Sequence, residues 1–140
     1  MKKPLQVKIK KTHPRAVIPK YATDGAAAFD LVAITKKGNV YGTGLAFEVP
    51  EGYAMFVYSR SGHGFKENTR LANCVGVVDS DYRGEVMVKL TRDDGNMGMP
   101  YIGDRVAQAV IMPVPRVVFI EEEELNDTER GDGGFGSTGA

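Results

Sequence analysis

Glycine and proline constrain this chain most. Seventeen Gly and seven Pro are spread along all 140 residues, and they cut the sequence into short runs rich in Val, Ile, Phe and Tyr. No long segment keeps the apolar period of a helix. Short β-prone runs between turn residues predict an all-β domain: a sandwich, jelly roll or barrel. In LQVKIK, Leu5, Val7 and Ile9 share one face. The runs at 28–33, 43–49 and 53–59 are further predicted strands. CVGVVD (74–79) and EVMVKLT (85–91) flank the polar SDYRG and read as the two arms of a hairpin. RVAQAVIMPV (105–114) is nearly continuously apolar, which predicts a central strand buried on both faces. RVVFIEEEEL (116–125) is the last expected strand, with Glu121–Glu124 as its solvated, edge-guarding end. Only 61–72 has room for a helix, a short one weakened by its glycines. RDDGNMGMP (92–100) reads as a loop.

A chain of this length is expected to be one domain with a true core. Lys+Arg and Asp+Glu both number 18, so no global field draws the protein to nucleic acid, although a local basic cluster could still meet a small anion. The N-terminus lacks the apolar region of a signal peptide, and no apolar run reaches the length of a membrane span. The single cysteine, Cys74, cannot close an intrachain disulfide. It fits a reducing compartment, cytoplasmic or, in a cell that has one, nuclear, and its apolar setting reads as buried and inert. After Asn126 no apolar periodicity remains. Residues 1–126 are expected to form the core, and 127–140 a flexible C-terminal arm.

The chemistry-bearing stretches each allow two readings. The arm ends RGDGGFGSTGA. Its GDGGFG has the spacing of a dinucleotide fingerprint, but the helix and second strand that such a fingerprint needs cannot follow. A flexible linker is the plain alternative. Composition favours a lid that orders on binding: glycine-freed N–H groups, Arg130, Ser137 and Thr138 suit phosphate, and Phe135 suits a flat base. In SRSGHG (59–64), Arg60 is a planar cation, and Ser61 and Gly62 precede a possible helix start, which is either an ordinary cap or an anion contact. In GVVDSDYRGEV (76–86), Asp79 and Asp81 lie beside Tyr82 and Arg83. They serve either as turn residues or as a carboxylate that activates water. Gln108 and Asp30 are polar residues inside apolar runs, and each must be paired in the core or used on a ligand. His13 and His63 lack zinc spacing.

In sequence order, AAAFDLVA, SRSGHGFK, GVVDSDYRGEV, GDRVAQAVI and RGDGGFGSTG resemble the five motifs of the homotrimeric deoxyuridine triphosphatases (dUTPases). The likeness spans residues 26–139, and its third and fifth motifs are the most specific. Three positions depart from the family pattern. Ala27 or Ala28 stands where Gly is usual, Ser59 where Pro is usual, and His63 where a small apolar residue is frequent.

The resemblance implies a distorted jelly roll of the dUTPase-like β-clip type, assembled as a homotrimer with active sites at subunit interfaces. It implies Mg2+-assisted hydrolysis of dUTP to dUMP and pyrophosphate, a reaction that limits uracil incorporation into DNA and supplies dUMP for thymidylate synthesis. On matching positions it implies that Asp79 activates the attacking water and that Tyr82 packs under deoxyribose. Asn73 and the backbone from Cys74 to Asp79, including Gly76 and Val78, would read uracil. Ser61, with Gly62, Arg60 and Gln108, would contact phosphates. Asp30 would act on Mg2+ indirectly, through water. The arm would stack Phe135 on uracil and hold phosphates with Arg130, Gly136, Ser137 and Thr138. Rival expectations are a dCTP deaminase-like enzyme on the same fold, or a regulatory protein that kept the pocket as a nucleotide switch.

Overall fold

The computed structural model describes residues 3–95 and 100–139. It contains ten strands and one helix among them: β1 (Lys8–Lys11), β2 (Phe29–Val32), β3 (Thr35–Lys37), β4 (Val40–Gly42), β5 (Leu45–Glu48), β6 (Tyr53–Tyr58), α1 (Ser61–Glu67), β7 (Thr69–Leu71), β8 (Val75–Val78), β9 (Met87–Arg92) and β10 (Arg105–Pro113). All pairings are antiparallel. One four-stranded sheet runs β2-β10-β6-β8, a second runs β3-β4-β9-β7, and β1 pairs with β5. This is the expected all-β, jelly-roll-like architecture with one short helix.

Alternation builds the core. Phe29 and Leu31 of β2 point inward, as do Val88 and Leu90 of β9. They join Tyr41, Leu45, Met55, Leu71 and Val106 in one buried cluster that draws on both four-stranded sheets. Polar atoms in this core are paired. Tyr41 Oη donates to Pro100 O (2.8 Å). Thr43 Oγ1 donates to Val86 O (2.7 Å) and accepts from Leu45 N (3.2 Å). The step from β4 to β5 turns on Gly44, whose φ is +66° and where a Cβ would lie 2.9 Å from His13 Cβ. Only glycine fits there without strain.

Four expectations need correction. The 74–91 hairpin does not form: β8 pairs with β6, while β9 pairs with β4 and β7. The two runs diverge into different sheets because each has a better partner, and the side chain of Tyr82 borders the gap they leave. The 116–125 run is not a strand. Pro113 and Pro115 supply no N–H to a ladder, and Val114 N to Gly52 O (2.8 Å) is the last backbone bond to the body. β10 is central, as expected, but only Val106, Ala107 and Ala109 are buried, and its end at Met112–Pro113 is exposed. Cys74 is exposed, not buried. It sits at φ +67° in the turn between β7 and β8, with its N–H on Leu71 O (3.0 Å), so its side chain leaves the apolar run around it. Of the 92–100 loop, positions 96–99 lie outside the described residues, as does Ala140 of the arm.

Candidate active site

The first group of candidate residues sits on the β2-β10-β6 sheet. Register places Gln108 opposite Asp30 on one side and Tyr58 on the other. Gln108 Nε2 donates to Ser59 O (3.0 Å), so its amide is held by the strand end that leads to Arg60. The Asp30 carboxylate lies between two guanidiniums, Arg60 Nε at 3.4 Å and Arg105 Nη1 at 3.7 Å. Both Asp30 and Arg60 are largely but not fully buried, a setting in which unpaired charge is costly. Sequence reasoning missed Arg105. The signal was available in GDRVAQ, where the strand's first residue is a cation three positions before Gln108.

The departure at Ser59 has a structural use. Its Oγ accepts Leu71 N–H (2.9 Å), a bond that proline could not make, and it ties the end of β6 to β7. Nothing in the structure explains Ala27.

Ser61 and Gly62 open α1. Arg60, at the cap position, is extended and makes no side-chain cap bond, so no capping side chain occupies the first-turn N–H groups. One turn on, His63 is buried, and its Nδ1 has no partner among the described residues. Burial, and then the charge of Arg60, lowers its pKa from the ordinary 6.5. Because the folded value is depressed, an unfolded chain takes up this proton first as pH falls. The stability lost at His63 therefore begins near pH 6.5 and deepens until the folded value is reached. His63→Leu is expected to raise the urea midpoint by an amount worth about 1 kcal/mol. Its margin over the parent should widen below about pH 6.5. A constant margin from pH 8 to 5 would contradict this.

The second group surrounds a pocket of about 470 Å³ between β8 and β9, lined by Asn73, Gly76, Val78, Tyr82, Glu85 and Val86 among others. The Tyr82 ring is fixed by its hydroxyl, which donates to Glu85 O (3.0 Å). Gly84 makes this possible, since a Cβ there would lie 2.6 Å from Tyr82 Cζ. Asp79 starts the intervening turn, and its carbonyl accepts Tyr82 N–H (3.2 Å). Its exposed side chain borders a separate, larger groove of about 1150 Å³ shared with Asp81, Arg83 and Val114–Arg116.

Within one chain the two groups meet near Ser59, which bonds both Gln108 and the pocket-lining Leu71, but Asp79 stands apart from the first group. Register aligns Val75 with Tyr58 and Gln108, and Val78 with Met55 and Ile111. Asp79, one residue beyond β8, is thus four residues from Val75 and the Gln108 row, roughly 13 Å at about 3.3 Å per residue.

The arm forms a third group. Among the described residues, 115–139 make no hydrogen bond to the body. The bonds of the last motif are local turns: Arg130 Nε to Gly133 O (2.8 Å), Gly133 N to Arg130 O (3.2 Å) and Ser137 N to Gly134 O (3.1 Å). Phe135, at φ +53°, is fully exposed; Gly136, at φ +87°, follows it, and Ser137 and Thr138 are exposed in the same turns. So the structure joins Asp30, Arg60 and Gln108, joins Asn73, Gly76, Val78 and Tyr82, and leaves the arm's residues on their own. Among the described residues no three His, Cys, Asp or Glu side chains converge as a metal site.

Comparison with known proteins follows the same lines. A family model described as dUTPase matches residues 14–139. The chain is similar to the deoxyuridine 5'-triphosphate nucleotidohydrolase of Nautilia profundicola, 48% identical over 141 residues, covering 96% of this chain and 99% of that one. It is similar to the enzyme of the same name from Helicobacter pylori, 41% identical, covering 96% and 97%. In fold it resembles a dUTPase of Staphylococcus bacteriophage 80alpha with dUpNHpp, at a TM-score of 0.82 and 23% identity over 96% of this chain and 99% of that one.

Proposed function

The chain belongs to the dUTPase family, and from that membership we infer that it is a dUTP diphosphatase, which hydrolyses dUTP to dUMP and pyrophosphate. The observation that carries this reading to the chain's own residues is the 470 Å³ pocket bounded by Asn73, β8 and the fixed Tyr82 ring. Its size suits a nucleoside. Backbone groups of β8 facing a pyrimidine edge accept uracil and leave unpaired groups against cytosine. The Tyr82 ring under the sugar leaves no space for a 2'-hydroxyl.

In this reading Asp79 orients a water and takes its proton while the water oxygen attacks the α-phosphorus. The bond from that phosphorus to the oxygen bridging to the β-phosphorus breaks, and the electron pair leaves with pyrophosphate. Arg60, Ser61 with Gly62, and Gln108 hold the phosphates. Phe135 stacks on the base, and Arg130, Gly136, Ser137 and Thr138 wrap the phosphate chain, so that closure excludes bulk water. Mg2+ fits as an ion held by phosphate oxygens and its own waters. Asp30, already shared by two guanidiniums, can accept from such a water and is poorly placed to chelate directly. When bound, the ion spreads the charge that develops on the leaving group. A dUTPase structure of phage phi11 of S. aureus, at 20% identity, is described with a structural Mg(II) ion, which supports a place for the metal in this fold.

The site is completed by a homotrimer. Two observations support that assembly: Asp79 lies far from the Asp30–Gln108 group in its own chain, and Val117–Ile120 form an apolar run left exposed among the described residues. The body and the arm from 127 onward act as separate units joined by this run. No described helix is long and apolar enough to cross a membrane. The nucleotide substrate and the bacterial relatives support a cytoplasmic reading. The relatives' names favour the hydrolase over the deaminase and regulatory readings.

Subunit mixing tests the shared site. Asp79→Asn and a chain lacking 130–140 are each expected to keep about 1% of parental activity or less. Unfolded, mixed equally and refolded together, they should regain about a quarter of parental turnover, because in a closed symmetric oligomer some sites draw Asp79 and the arm from different, intact donors. No recovery in a mixture shown to be trimeric would place Asp79 and its lid in one subunit and contradict a lid donated from a neighbouring subunit.

A further inference from the structure

Arg83 stands next to Tyr82, and the mechanism above gives it no task. Its side chain is nevertheless committed. Nη1 donates to Ser80 O (2.6 Å) and to Tyr82 O (3.2 Å). Nη2 faces Glu48 Oε1 at 3.9 Å, and the other carboxylate oxygen of Glu48 faces Lys8 Nζ at 3.6 Å. The guanidinium therefore folds back over the turn that starts at Asp79, and β5 holds it from behind. Two charge-assisted bonds from one planar group to carbonyls two residues apart fix the path of the backbone between them.

The rest of the turn is held by a different device. Tyr82 is fixed by Glu85 O, and the Glu85 carboxylate accepts Gly44 N–H (2.9 Å). The sugar-facing ring and the base pocket on β8 thus stay in place without Arg83. Among the described residues the Asp79–Ser80 half of the turn has only the Tyr82 N to Asp79 O bond (3.2 Å) besides Arg83.

We propose that Arg83 is the positioning residue of Asp79: by clasping the Ser80 and Tyr82 carbonyls it fixes the turn that aims the Asp79 carboxylate, without touching substrate. The inference rests on the reading of Asp79 as the water-activating group. Glu48 contributes less, as a half-exposed partner at a longer distance.

The signature is a split between kcat and KM. Arg83→Gln should lower kcat by about 10-fold to 100-fold, the scale of a small misplacement of a reacting group. KM for dUTP should stay within about twofold, since the pocket residues keep their own supports. Arg83→Lys should recover part of kcat, because an ammonium replaces the charge and one bond of the fork. Glu48→Gln should cost about twofold to threefold. The melting temperature of each variant, measured alongside, checks that the trimer remains folded.

A double-variant cycle decides the matter, with single-turnover rates measured under excess enzyme. If Arg83 acts through Asp79, Arg83→Gln adds no further loss in an Asp79→Asn background. If the two losses multiply while Asp79→Asn alone is nearly inactive, Arg83 acts on the substrate itself and this inference falls while the reading of Asp79 stands. A loss carried by KM would overturn it in the same way. Full turnover by Asp79→Asn would overturn the water-activation reading, and the role of Arg83 with it.

Discussion

Asp79→Asn is expected to lower turnover of dUTP by about 10³-fold, within the range that general-base removal costs, and to leave KM nearly unchanged. The substitution keeps shape and removes the carboxylate proposed to accept the proton of the attacking water. Nothing in the fold should notice: the side chain is exposed, and the turn is held through the Asp79 carbonyl and Arg83, not through the carboxylate. The measurement is steady-state kinetics of pyrophosphate release, with far-UV circular dichroism and the oligomeric state as controls. Turnover within a factor of ten of the parent would mean that the water is activated by another group. The candidate would then be Asp81, which borders the same groove.

Deleting 130–140 is expected to lower kcat/KM by about 10²-fold or more, because the proposed lid would supply both the base stack and part of the phosphate wrap. Thermal stability should be almost unaffected. Among the described residues the arm makes no hydrogen bond to the body, and Phe135 is fully exposed in the single chain. In the proposed lid its ordering entropy would be offset when nucleotide is bound. Phe135→Ala should reproduce the part of this loss that comes from stacking, about 1–3 kcal/mol per base. Equal kinetics for parent and truncated chain would remove the lid from the mechanism.

The all-β class was legible because alternation survives wherever a strand has one wet face. Phe29 and Leu31, or Val88 and Leu90, announce their strands in this way. β3, β4 and β7, with three residues each, are too short for any period to register. Pairing was not legible. The 74–79 and 85–91 runs have the composition of a hairpin, yet their partners lie far away in sequence, and local signals say nothing about that choice. The apolar run Val117–Ile120 reads as a strand for a sound physical reason, since it needs burial, but among the described residues it stays exposed. Cys74 was misjudged because composition sees apolar neighbours and cannot see the left-handed turn that points the thiol outward.

The motif residues were legible through their order along the chain. Their grouping was not: the Asp30–Arg60–Gln108 cluster and its Arg105 partner depend on cross-strand register. Ser59 shows how a departure from the family pattern can be absorbed, since its hydroxyl takes up the Leu71 N–H.

The most direct test incubates the purified chain with Mg2+ and, separately, dUTP, dCTP, dTTP and UTP, and identifies the products. The account predicts dUMP and pyrophosphate from dUTP, with rates for the other three lower by at least about 10²-fold. That difference is expected when a site built for one hydrogen-bonding edge and one sugar leaves polar groups unpaired or meets excess volume. No pyrophosphate from dUTP by a folded trimer, or equal rates with UTP, would contradict it.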